Sequence, residues 1–168
     1  MKVPGHSLFS AAIALALLSL AATADKQWDG ELAPDFVLRS GDGENMRLSE
    51  YRREVVLVNF WASWCGDCRD QMPSLDSLYS LYHEAGLQLL SVNLDNKTEQ
   101  AREITRSLEL GFPVLYDSDR QVSKLYDVDA MPVTLLIDRE GVVRYVEKGF
   151  SRGTKERYLE QLKALLRE

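Results

Sequence analysis

Cysteine and histidine are scarce in this sequence. Its 168 residues include two cysteines, Cys65 and Cys68, and two histidines. A structural zinc site or an iron–sulfur cluster takes about four protein ligands. The chain has too few cysteines and histidines for either, unless carboxylates or a second chain contribute. One internal bridge also excludes a small scaffold held together by several disulfides. The cysteine pair therefore needs another explanation.

Positive charge is also in short supply. Lys and Arg number 20 against 26 Asp and Glu, which gives a formal net charge of −6 at pH 7. Without residues 1–24 the charge is −7, because that segment contributes Lys2 and no acid. An acidic chain with no basic stripe argues against nucleic acid and against anionic lipid as partners.

Long apolar runs are absent except near the start, where residues 8–22 read LFSAAIALALLSLAA. The run follows Lys2 and precedes small residues, an order typical of a secretory signal peptide. As a helix it would be about 22 Å long, shorter than a hydrocarbon core of about 30 Å. We predict a signal peptide over residues 1–24 and a single domain over residues 25–168 in the periplasm. An uncleaved membrane anchor is the alternative, and only then would a membrane be a partner.

Beyond residue 25, buried strands alternate with amphipathic helices. Apolar runs predict strands at residues 33–40, 55–61, 87–95, 112–117, 131–138 and 142–149. Helical spacing predicts helices from the cysteines to Gly86 and at residues 97–110, 120–128 and 154–168. This alternation favours βαβ units around a parallel core, followed by a hairpin and a closing helix. The predicted class is α/β.

Both cysteines lie in NFWASWCGDCRD, residues 59–70. Covalent haem attachment would need histidine directly after Cys68, where Arg69 stands. His83 is expected to be an ordinary surface residue. If Cys65 begins a helix, Cys68 lies one turn later within bonding reach, and the helix N-terminus stabilises a Cys65 thiolate. That arrangement suits thiol–disulfide exchange. A static disulfide in a redox-silent domain is the plainest alternative.

The segments VVLVNFWASWCGDCRDQMPSL at 55–75 and AMPVTLLID at 130–138 resemble the thioredoxin superfamily. The resemblance is to its exported TlpA/ResA-like branch, which includes the cytochrome c maturation type. APDFVL at 33–38 fits the same branch but is shared with peroxiredoxins. The resemblance implies a thioredoxin-like fold, with a mixed central sheet flanked by helices and an N-terminal strand extension. It implies neither a cofactor nor a metal.

The resemblance also assigns roles to single residues. Cys65 would be the nucleophile and Cys68 the resolving thiol of a redox disulfide. Pro132 would be the family's cis-proline, with Met131 presenting its backbone to a partner peptide as a strand edge. Trp64 would flank the same groove.

Two positions depart from the family pattern. Many thioredoxins carry a buried acid at the position of Asn59, often opposite a lysine at the position of Ser91. TlpA/ResA-like members often carry Glu at the position of Gln71. Such acids are proposed to accept the proton of the buried thiol. Without them, proton transfer from Cys68 would use water or an exposed acid such as Asp67 or Asp70.

The residues between the cysteines bear on the direction of electron flow. Asp67 lies near Cys65 and disfavours a second negative charge there, so we predict a fairly reducing couple. The expected partners are disulfide-containing proteins, with apocytochrome c cysteines as one target. A membrane electron donor of the thiol-relay type would supply the electrons.

Two other functions are alternatives. A peroxiredoxin-like thiol peroxidase would have proline at the position of Val58 and a Thr or Ser before the cysteine, and neither pattern is complete here. A copper-binding dithiol metallochaperone would have a three-residue cysteine gap and a later histidine, which this chain lacks.

Overall fold

The protein alternates strands with helices along most of its length. The computed structural model describes Trp28 and residues 30–168, so the predicted signal peptide, residues 1–24, lies outside the described residues. The strands are β1 (Val37–Ser40), β2 (Asn45–Arg47), β3 (Val55–Trp61), β4 (Leu87–Asn93), β5 (Val114–Tyr116), β6 (Val133–Ile137) and β7 (Val143–Lys148). The helices are α1 (Gly66–Tyr82), α2 (Glu99–Ser107), α3 (Gln121–Leu125) and α4 (Thr154–Leu166).

The strands form one mixed sheet in the order β2-β1-β5-β4-β3-β6-β7. Every residue of β3 and β4 is buried, as expected for central strands covered on both faces. β3 pairs in parallel with β4 and antiparallel with β6, and β6 and β7 form the predicted hairpin. The predicted mixed sheet flanked by helices is therefore confirmed.

Alternate residues of β3 face two separate apolar clusters. Val55, Leu57 and Trp61 pack with residues of α1 and α4, and both cysteines belong to this cluster. Val56, Val58 and Phe60 pack with the N-terminal segment and α3. The period-2 alternation of a strand places successive side chains on opposite faces, so one continuous apolar run serves both clusters.

The N-terminal extension is shorter and more complex than predicted. Only Val37–Ser40 of the strand predicted at 33–40 is extended in the sheet, and it pairs with β2, a strand that the sequence did not predict. Pro34 has no N–H to donate to a ladder. Asp35 instead accepts hydrogen bonds from the backbone and hydroxyl of Ser49.

The helix predicted at residues 97–110 is shorter in the structure. Leu108 follows the last residue of α2 and is 39% exposed. It lines a shallow surface cleft with Pro73 and Ile104.

None of the helices in the described part of the chain is both long enough and apolar enough to cross a membrane.

Candidate active site

Cys65 and Cys68 form a disulfide at the junction of β3 and α1. The S–S distance is 2.02 Å. Cys65 is the N-cap of α1, with an extended backbone, and its sulfur accepts a hydrogen bond from the Cys68 backbone N–H at 3.2 Å. Backbone N–H groups at a helix N-terminus carry partial positive charge. The arrangement therefore favours negative charge on the Cys65 sulfur.

The two cysteines differ in how much of the residue is exposed to solvent. Cys65 is 9% exposed and Cys68 is 0% exposed. Cys68 lies in the first turn of α1, on the face that packs against the sheet. Of the two cysteines, Cys65 lines the cleft described below and Cys68 does not.

A buried carboxylate anchors the loop that carries Cys65. Asp95, which follows β4, accepts hydrogen bonds from the Ser63 backbone N–H at 3.1 and 3.2 Å. The Leu94 N–H also donates to the Trp61 carbonyl at 2.9 Å. This contact of Asp95 could not be predicted from the sequence, because a single Asp after a strand does not indicate which loop it will contact.

The peptide bond between Met131 and Pro132 is cis, and Met131 packs against the apolar cluster that contains both cysteines. Met131 and Pro132 directly precede β6, whose first residue pairs with Phe60 near the end of β3. This pairing brings Met131 to the same end of the sheet as Cys65. Met131 and Cys65 line a cleft of about 540 Å³.

The two tryptophans flanking the cysteine loop have different environments. Trp64 is 63% exposed and lines the cleft with Cys65. Trp61 is 0% exposed and packs in the core with both cysteines. Trp64 thus lies on the surface of the cleft, and Trp61 is part of the core.

A neutral hydrogen-bonded cluster lies in the core next to α1, and we call it the amide cluster: Asn59, Gln71, Thr134 and Tyr158. The Asn59 amide donates to Gln71 Oε1 at 3.0 Å and to Thr134 Oγ1 at 3.1 Å. The Gln71 amide donates to Thr134 Oγ1 at 3.0 Å and to the Tyr158 hydroxyl at 2.8 Å. All four side chains are at most 1% exposed. Burial raises the pKa of Tyr158 above its usual value, so the cluster stays uncharged at neutral pH.

Asn59 and Ser91, the two positions at which the sequence departs from many thioredoxins, lie opposite each other on β3 and β4. Within the described part of the chain, Asn59 Oδ1 and Ser91 Oγ have no hydrogen-bond partner. Asp67 and Asp70, the acids suggested for proton transfer, are exposed on α1. The structure thus places no carboxylate in the amide cluster. The contacts of Thr134 and Tyr158 with Gln71 could not be predicted from the sequence, since only the tertiary fold brings these residues together.

Residues that could hold a metal are few. In the described residues, Trp28 and 30–168, no group of three or more His, Cys, Asp or Glu side chains is arranged to bind a metal ion.

Comparison with known proteins gives consistent matches over most of the chain. The model of the AhpC/TSA family matches residues 30–146. Thiol-disulfide oxidoreductase ResA of Geobacillus kaustophilus is 37% identical over 135 residues, which cover 80% of this chain and 78% of that protein. ResA of Bacillus subtilis is 35% identical over 121 residues, covering 72% and 68%. A crystal structure of a putative thiol:disulfide interchange protein DsbE from Chlorobium tepidum superposes with a TM-score of 0.79 at 38% identity, covering 82% of this chain and 97% of that one.

Proposed function

The chain belongs to the AhpC/TSA family and is a thiol-disulfide oxidoreductase of the ResA and DsbE type, and on this premise we propose that it reduces disulfides of exported proteins through Cys65 and Cys68. One observation carries the proposal. A disulfide with one accessible and one buried sulfur lies at a helix N-terminus, beside a cleft that a partner segment can enter.

The proposed reaction begins with the reduced pair. The Cys65 thiolate attacks one sulfur of the partner disulfide, a mixed disulfide forms, and the partner's other sulfur leaves as a thiolate that takes a proton from solvent. Cys68 then loses its proton and attacks the Cys65 sulfur. The Cys65–Cys68 bond forms, the bond from Cys65 to the partner breaks, and the second partner thiolate is released and protonated. Two electrons pass from the dithiol to the partner disulfide.

The proposed direction of electron flow rests on the two residues between the cysteines, Gly66 and Asp67. Asp67 lies two residues after Cys65 in the first turn of α1, where its carboxylate opposes a second negative charge. The intervening residues Gly66 and Asp67 supply no cation to stabilise the thiolate. A less stabilised dithiol form gives a more reducing couple, which suits a reductase.

The proposed setting is extracytoplasmic. Support comes from the apolar run at 8–22, read as part of a signal peptide over 1–24, with residues 25–168 as the exported domain. A reductase in an oxidising compartment needs a donor, for which we propose a membrane protein dithiol that returns two electrons by the reverse exchange. Apocytochrome c cysteines, which must be thiols before haem attachment, are the proposed targets.

The test is reduction of insulin with dithiothreitol as donor, comparing the wild type with Cys65→Ser and Cys68→Ser. We expect Cys65→Ser to lose the activity and Cys68→Ser to accumulate a mixed disulfide with insulin, visible by mass spectrometry. Circular dichroism checks that both variants are folded. Insulin reduction by Cys65→Ser at the wild-type rate would contradict the proposal.

Thiol peroxidase activity is a second candidate, because the AhpC/TSA model matches residues 30–146. Consumption of hydrogen peroxide with dithiothreitol as the donor separates the two functions. The reductase proposal predicts that peroxide is consumed no faster than with the free thiol alone.

A further inference from the structure

The cleft that Cys65 lines has a wall with two exposed cations. We propose that this wall selects partners whose reacting cysteine is flanked by acidic residues. The inference rests on the proposed function and adds a substrate class to it: disulfides in acidic segments. The positive wall consists of Arg120 and Lys124, which line the same cleft as Cys65, Trp64 and Met131.

The two cations are placed together by α3. Arg120 is the N-cap of α3 and Lys124 lies one turn later, with its backbone N–H donating to the Arg120 carbonyl. Arg120 and Lys124 both line the cleft. Both residues are exposed, and neither forms an ion pair or side-chain hydrogen bond in the described part of the chain.

The acid in the cleft lining is already neutralised. Asp129 lies 3.1 Å from Lys148 Nζ, so its charge does not offset the positive wall. Asp119 and Asp127, on either side of α3, are not part of the lining. The protein as a whole carries a net charge of −6. The lining that includes Cys65 therefore carries two cations, Arg120 and Lys124, in an otherwise acidic protein.

An extended partner segment would be held so that its charges meet this wall. The lining includes Met131 and Ala130 directly before β6, where a strand edge could pair with a peptide, and α3 lies across the cleft. A peptide bonded to Cys65 would then have residues next to its cysteine within reach of Arg120 and Lys124. Arg binds carboxylates through two parallel hydrogen bonds, and Lys acts as a point charge.

The test uses three cyclic peptides that contain one disulfide and differ only in the residues flanking each cysteine, which are Glu, Gln or Lys. The pre-reduced, desalted protein is mixed with each peptide, quenched by alkylation and followed by mass spectrometry. Each rate is divided by the rate with dithiothreitol, because flanking charges also change the reactivity of the peptide disulfide. We expect the Glu peptide to react about tenfold faster than the Lys peptide at low salt, and the difference to shrink in 0.5 M NaCl.

Variants locate the selectivity. Arg120→Asn with Lys124→Gln removes both charges, and Asn tolerates the left-handed backbone at position 120, where φ is 57°. Lys124→Glu alone reverses one charge. We expect the double variant to react equally with all three peptides. Lys124→Glu leaves one positive and one negative charge on the wall, so it should also lose the preference for the Glu peptide. Lys163→Glu is the matched control, because Lys163 is an exposed lysine near the end of α4 and is not part of the cleft lining. This end of α4 lies near the end of β6 that is far from the cysteines, since the Leu165 carbonyl accepts a hydrogen bond from Arg139.

The outcomes separate this inference from the proposed function. Reduction of all three peptides at one normalised rate would overturn the acidic selection and leave the reductase proposal standing. Preference for the Glu peptide that persists in the double variant would also overturn it. A protein that reduces none of the peptides would overturn the proposed function, and this inference with it.

Discussion

The side-chain amide of Gln71 donates a hydrogen bond of 2.8 Å to the hydroxyl of Tyr158, which lies 87 residues further along the chain. Gln71 is three residues after the buried Cys68, and so shares its face of α1. The bond ties α1 to α4, and it fixes a neutral side chain where a proton acceptor could otherwise stand. The amide cluster thus links the packing of the core to the chemistry of the disulfide.

Replacing Gln71 by Glu should make stability depend strongly on pH. Burial raises the pKa of a carboxyl group in the folded state, so the folded protein holds the proton more tightly than the unfolded chain. Relative to wild type, the unfolding free energy of the variant should therefore be highest below about pH 4 and should decrease as the pH rises. We expect a loss of about 2 kcal/mol relative to wild type at pH 8, measured by urea unfolding at pH 4 and pH 8.

The matched control for that prediction is Gln121→Glu, which makes the same chemical change at an exposed position of α3. Its stability relative to wild type should be the same at both pH values within about 0.5 kcal/mol. Equal losses for Gln71→Glu at pH 4 and pH 8 would contradict a buried carboxyl at position 71.

The same Gln71→Glu substitution should speed the resolution of the mixed disulfide. A carboxylate one helical turn from Cys68 can accept its proton, a role that the neutral amide cannot fill. The rate of release of a partner thiol from Cys65 should rise by a factor of about ten near pH 7. Single-turnover release of a chromophoric thiol measures this step. Gln71→Met, which has a similar size and no proton acceptor, should show no acceleration, and an equal increase there would refute the role of the carboxylate.

Removing the Tyr158 hydroxyl should weaken the fold. Tyr158→Phe deletes the acceptor for Gln71 and the donor to Thr134, so we expect a loss of about 1 to 2 kcal/mol in unfolding free energy. Tyr145→Phe is the control, since this tyrosine is only partly buried and its hydroxyl has no hydrogen bond to another described residue. Urea unfolding of both variants gives the comparison. Equal stabilities for the two would mean that the amide cluster contributes nothing.

Alkaline pH should destabilise the protein through Tyr126. Burial raises its pKa above the usual value, and its hydroxyl donates a 2.6 Å hydrogen bond to the Pro34 carbonyl. The folded state therefore keeps the proton when the unfolded chain has lost it, and stability falls as the pH rises above about 10. The contribution amounts to about 1 kcal/mol between pH 10 and pH 11, because the unfolded tyrosine is only half ionised at pH 10.

The variant Tyr126→Phe isolates that contribution. It should show a shallower fall in unfolding free energy between pH 9 and pH 11 than the wild type, whatever its stability at pH 8. Tyr145→Phe serves as the control. A wild-type slope in Tyr126→Phe would assign the alkaline effect to another group.

The sequence predicts best the features that depend on neighbouring residues. β3 is found at the predicted residues 55–61, because seven consecutive apolar or neutral residues fit a strand covered on both faces. The cis peptide before Pro132 was also expected, on the basis of the family resemblance. β2 was not predicted, because its three residues are exposed or half-buried and show no apolar alternation.

Contacts between distant residues could not be predicted. Thr134 and Tyr158 reach Gln71 from β6 and α4, at separations of 63 and 87 residues. Asp95 reaches the loop before Cys65 across 32 residues. Nothing in the local sequence of these residues indicates their partners, since strand order and helix packing together bring them into contact. The positive wall of the cleft has the same origin, because α3 meets the cysteine loop only in the folded chain.

The most direct measurement is the order in which the two thiols react. The fully reduced protein is treated briefly with a small excess of iodoacetamide, and the labelled peptides are quantified by mass spectrometry. Our account predicts that Cys65 carries nearly all of the label while Cys68 stays unmodified. Faster labelling of Cys68 than of Cys65 would contradict it.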